Sequence, residues 1–120
     1  MSILTSGIIA LVAILHLYFL YLEMFAWTTK APKIFRQFPK DLFPKTKAMA
    51  ANQGLYNGFL AAGLIWTFFI QNPIWKDNIA LFFLGCVLVA GVYGALTVSK
   101  RIFYVQGVPA LVGIICVLFL

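Results

Sequence analysis

The chain reads as an all-α membrane protein, a four-transmembrane-helix antiparallel bundle with both termini outside and a basic first loop on the cytoplasmic side. Three observations predict this. Hydrophobic residues make up 63% of the 120 positions and charged ones 10%, with a mean hydropathy of +0.99, which leaves too little polar surface to cover a water-soluble globule. The apolar residues gather into four stretches near the roughly 20 residues that cross about 30 Å of hydrocarbon. Eight of the nine basic residues fall in alternate connections, and the positive-inside rule assigns those connections to the cytoplasm.

The first span covers residues 3–27. It is read as a retained helix and not as a secretory leader, because it lacks a basic start, carries His16 and Glu23 in its body and precedes no small-residue cleavage site. Residues 28–47 form the first loop, where Lys30, Lys33, Arg36, Lys40, Lys45 and Lys47 face Asp41 alone. Pro32, Pro39 and Pro44 interrupt it, and Ile34, Phe35, Phe38, Leu42 and Phe43 stand between the cations. Such a mixture suits an amphipathic loop along the membrane interface, rings down and charges up, or a lid over a cytoplasmic opening.

The second span is expected over 48–70, the third over 78–98 and the fourth over 105–120. The fourth has a short apolar stretch, and is still read as a helix because lipid leaves backbone polar groups no other partner. The whole constitutes one membrane domain. Its net charge of +6 orients the protein and attracts anionic headgroups. A nucleic-acid partner is not expected, since no base-stacking or groove-reading element accompanies the charge.

Polar residues inside the spans define a candidate site. His16 and Glu23 lie two helical turns apart on one face, and Trp27 continues it. In an antiparallel neighbour, Asn52 and Gln53 fall level with Glu23, while Tyr56 and Asn57 lie deeper, toward His16. Tyr93 and Thr97 on the third span and Gln106 on the fourth share the cytoplasmic half. An acid at membrane depth is costly and needs a partner; for Glu23 the nearest candidates are Asn52, Gln53 and the Tyr93 hydroxyl, with Lys45 or Lys47 snorkelling down. Glu23 and His16 are therefore candidate proton-transfer groups, and Asn52, Gln53, Tyr56, Asn57, Tyr93 and Gln106 candidate ligand-binding groups. The plain alternative is that these side chains bond across helices and fix their register.

Ala50, Gly54, Gly58 and Ala62 form a small-residue stripe that admits a close neighbour, either within the chain or in a homo-oligomer, and Ala90, Gly91, Gly94 and Ala95 repeat the device on the third span. Cys86 and Cys116 lack metal-ligand spacing and are read as small hydrophobes. No metal and no cofactor is expected: the chain has one His, no phosphate-cradling loop, no nucleophile elbow and no dinucleotide fingerprint.

The runs "HLYFLYLEMFAW", "ANQGLYNGFLAAGL", "AGVYGALTVSKRI" and "VQGVPAL" closely resemble the domain of unknown function 1304 family of small bacterial membrane proteins. That resemblance implies a four-span protein of the bacterial inner membrane and supplies no activity. The layout is also similar to that of the membrane-associated eicosanoid and glutathione metabolism proteins. Those proteins grip glutathione with arginines, a glutamate and an asparagine on the second helix, whereas this second span has no Arg and no Glu, so the likeness is one of topology. Two function classes follow: an intramembrane polar site that binds or alters an amphiphile such as a lipid, quinone or isoprenoid, or a non-enzymatic transporter subunit or membrane-protein partner.

Overall fold

The computed structural model describes residues Met1–Leu120, all helix and connecting turns with no strand. Helix α1 spans Ile3–Leu20 and continues as a π-helical turn over Tyr21–Phe25. Two single turns follow, α2 at Ala31–Ile34 and α3 at Leu42–Lys45. The long helices α4, Lys47–Trp66, and α5, Pro73–Thr97, come next. The chain closes with α6, Lys100–Ile102, a second π-helical turn at Phe103–Gly107, and α7, Val108–Phe119.

Three helical segments are long and apolar enough to cross a membrane: Ile3–Phe25, Pro73–Thr97 and Lys100–Phe119. These make the chain a membrane protein by length and composition. Helix α4 has 20 residues and is long enough too, but Lys47, Asn52, Gln53 and Asn57 dilute its apolar character.

Two boundaries differ from the expected ones for identifiable reasons. The third apolar helix starts at Pro73 rather than 78, because the Asn72 side chain accepts hydrogen bonds from the backbone N–H of Ile74 at 3.0 Å and of Trp75 at 3.1 Å. Asn at the N-cap followed by Pro at the first helical position is a strong start signal. The last helix starts at Lys100 rather than 105. Ser99 adopts an extended backbone that breaks it from α5, and its hydroxyl accepts from Arg101 N–H at 3.3 Å. The added residues lengthen this segment to 20.

The chain divides into two compact units, one of residues 1–14 with 60–120 and the other of residues 15–59. In the first, Ile9, Val12, Ala13, Leu64, Ala80, Leu84, Val87 and Ala110 form a buried apolar core. A Cβ built on Gly91 would stand 2.7 Å from the backbone N of Gly107, so α5 and the last helix meet backbone to backbone at glycine on both sides. The buried Thr5 hydroxyl donates to the carbonyl of Cys116 at 3.3 Å, satisfying a polar group that would otherwise be stranded.

The second unit holds the first loop, which departs from the expected rings-down arrangement. Trp27 packs against Phe35, Phe38 and Phe43 with ring centroids 5.8, 5.9 and 4.8 Å away. Phe43 is fully buried and meets Phe38 edge-on at 5.0 Å. The Trp27 indole N–H donates to the Thr46 hydroxyl at 3.0 Å. A ring cluster with its one indole donor satisfied is more favourable folded on itself than spread over a surface. The rings turn inward and the cations stay out.

Candidate functional site

The candidate site belongs to the second unit and begins with its glycines. A Cβ on Gly54 would stand 2.7 Å from Cγ of Met24 and 3.0 Å from Cβ of Glu23, and one on Gly58 would stand 2.6 Å from Cδ1 of Leu20. Only residues without a side chain allow α4 to approach the end of α1 this closely. Gly54 is buried and Gly58 half-buried, whereas Ala62 is exposed. The seam therefore seats α4 on Leu20, Glu23 and Met24 of the same chain.

That seating selects the partner of Glu23. Glu23 and Asn57 are both buried, and the Asn57 side-chain amide donates to Oε1 of Glu23 at 2.5 Å. The sequence offers Asn52, Gln53 and the Tyr93 hydroxyl as partners, with Lys45 or Lys47 snorkelling down. Register, however, is set by the Gly54 and Gly58 contacts and not by counting from the span ends, and this brings Asn57, one turn further along α4, to the carboxyl. Asn52 is exposed, and its amide donates to the Ala48 carbonyl of its own helix at 3.3 Å. Gln53 is exposed, as is Tyr56, whose ring meets Phe59 edge-on at 5.8 Å.

Glu23 lies within the π-helical turn Tyr21–Phe25. A turn of this kind inserts one residue into an α-helix and recurs at functional positions. His16 is fully buried two turns earlier on α1, with its ring edge-on to Phe19 at 5.4 Å. Below the pair, Lys30 sits with its ammonium 5.5 Å from the centre of the Tyr21 ring. Attraction to Tyr21, chiefly by hydrogen bonding and then by charge, holds Lys30 above the usual lysine range.

The remaining candidates, Tyr93 and Gln106, belong to the other unit. Tyr93 is exposed on α5, and its backbone carbonyl accepts from the Thr97 hydroxyl at 2.7 Å. Gln106 is half-buried and lies in the second π-helical turn. Both π-helical turns thus carry one of the predicted polar residues. Residue spacing alone does not reveal such turns, and the small residues packed beside them, Gly54 and Gly91, are the nearest sequence signal.

These features define an all-helical membrane protein with a buried acid–amide pair at a π-helical turn. The model of the family described as "Protein of unknown function (DUF1304)" matches residues 10–118, and the chain belongs to this family. It is similar to the "Uncharacterized protein YpaA" of Lactococcus lactis, with 34% identity over 121 residues, covering 99% of this chain and 100% of that protein. No solved structure matches.

Proposed function

We propose that the protein is a four-span bundle of the bacterial inner membrane, with both termini outside and the 28–47 loop cytoplasmic, and that the Glu23–Asn57 pair binds the polar end of an amphiphile. Asn57 matters to the topology as well as the site. By meeting Glu23 across the seam, it relieves α4 of an amide and α1 of an acid that would each be costly in hydrocarbon alone. With that pairing, α4 can serve as a fourth span.

The observation that carries the ligand reading is the position of Glu23: a carboxyl buried on a π-helical turn, with one oxygen engaged by Asn57. In this reading the carboxyl is the group that gives or takes a proton at the ligand's polar end, Asn57 orients it, and His16 is a second proton-transfer or hydrogen-bonding group further along α1. The ligand class is lipid, quinone or isoprenoid, all of which reach a site at this depth from within the bilayer.

Mass spectrometry of lipids extracted from purified protein tests this. The expected result is a stoichiometric amphiphile in the wild type that is lost from Glu23→Gln while the helical content and unfolding midpoint are kept. If both proteins carry the same lipids, or if Glu23→Gln changes stability alone, the ligand reading fails.

A second reading draws on the exposure of Asn52, Gln53 and Tyr56 on α4. Here Glu23–Asn57 only fixes helix register, and the exposed polar strip serves a transporter subunit or another membrane-protein partner. That reading predicts co-purification of a partner which is lost on Gln53→Leu with Tyr56→Leu and survives Glu23→Gln.

A further inference from the structure

Lys33 lies in the short helix α2 and Arg36 in the turn after it, where the chain is held in one shape from inside. The Phe35 N–H donates to the Ala31 carbonyl at 2.8 Å, the Phe38 N–H to the Phe35 carbonyl at 3.2 Å, and the Phe35 ring lies against Trp27. Arg36 Nε donates to the Lys33 carbonyl at 3.2 Å. That bond fixes the guanidinium beside Lys33 and leaves its two terminal nitrogens as a fork. Both side chains are exposed, and the one acid of the loop, Asp41, lies beyond the Phe35–Phe38 turn. Ile34, between them, is 44% exposed.

A planar fork beside an ammonium is suited to a phosphate, the fork taking two oxygens and the ammonium the residual charge. Location narrows the source of that phosphate. The segment follows a membrane-length apolar helix that ends at Phe25, which puts it at headgroup depth, and exposed Ile34 supplies an apolar foot toward the acyl boundary. The aromatic residues that could have wedged into the bilayer or stacked on bases are spent on Trp27. What the loop offers outward is charge on a prearranged frame.

We infer that Lys33 and Arg36 form a seat for the phosphate of an anionic phospholipid headgroup. The seat is independent of the role of Glu23 and persists if that reading fails. Lys30 is not part of it, since its ammonium is turned onto Tyr21.

The test is lipid retention after reconstitution in nanodiscs of phosphatidylcholine with a minority of phosphatidylglycerol, read by mass spectrometry of lipids that stay with the protein in neutral detergent. The wild type is expected to enrich phosphatidylglycerol. Each cation near a membrane surface is worth about fivefold in partitioning, so the Lys33→Gln/Arg36→Gln variant should lose at least about twenty-fivefold. The Lys45→Gln/Lys47→Gln variant removes the same charge from elsewhere in the loop but leaves the phosphate contacts in place, and should lose clearly less. Trp27 fluorescence reports whether the ring cluster stays folded in each. Enrichment that survives Lys33→Gln/Arg36→Gln, falls equally in both variants, or is erased by millimolar inorganic phosphate overturns the proposal.

Discussion

Removing Glu23 and Asn57 together should cost less than the sum of removing each alone. In Asn57→Ala the interhelical hydrogen bond disappears, and such bonds in membrane proteins are worth about 0.6 kcal/mol on average and up to about 1.7. Glu23, buried beside Gly54, is then left with a carboxyl oxygen that no longer has its donor, adding about 1–3 kcal/mol. A total loss of about 2–3 kcal/mol follows. Glu23→Ala strands the Asn57 amide in the same way and should cost a similar amount. In the double variant neither orphan exists, so its loss should fall short of the sum of the two single losses by about 1–2 kcal/mol. Denaturant unfolding in mixed micelles, followed by tryptophan fluorescence, measures all four corners of this cycle. Additivity within about 0.5 kcal/mol would mean the pair contributes no coupling, and would refute both the assigned bond and the register derived from it.

Two further outcomes probe the packing. On α5, Gly91→Ala would press a methyl into the backbone of Gly107, which cannot yield as a side chain would, whereas nothing lies within 4 Å of a Cβ on Gly85. Gly91→Ala should therefore lose about 1–3 kcal/mol and Gly85→Ala should gain about 0.5–1 kcal/mol, both read from unfolding midpoints. In the loop, Thr46→Val removes the acceptor of the Trp27 indole and should cost about 0.5–1.5 kcal/mol; limited trypsin digestion should then cleave at Lys33 and Arg36 faster than in the wild type.

The sequence makes the helical class, the approximate course of the apolar helices and the polar character of the α1–α4 contact legible because each rests on a simple period or composition. Depth counted from span ends proved too coarse to choose among Asn52, Gln53 and Asn57. Gln53 and Asn57 each precede a seam glycine by one residue and share a helix face, so the choice comes from the height at which Gly54 and Gly58 seat α4 on Leu20, Glu23 and Met24, which buries Asn57 and leaves Gln53 exposed. Phe43 and Phe38 are hard to place from the sequence for a related reason. A ring between cations fits an interface equally well by pattern, and only the Trp27–Thr46 bond tells that the loop has a small core of its own. The start of α5 was readable from Asn72-Pro73, which outweighs the apolar count that suggested a later beginning.

The π-helical turn at Tyr21–Phe25 also bears on how relatives of this chain can vary in length. A π-helical turn is an α-turn with one residue added, so removing a residue there would leave α1 continuous while rotating everything beyond it by about 100° about the helix axis. The contact of Gly58 with Leu20, before the turn, and those of Gly54 with Glu23 and Met24, within it, could then not both be kept. A one-residue gap at this position in a relative would thus be a marker of function as much as of ancestry: such a chain would keep its membrane helix while abandoning the arrangement that sets Glu23 beside Asn57.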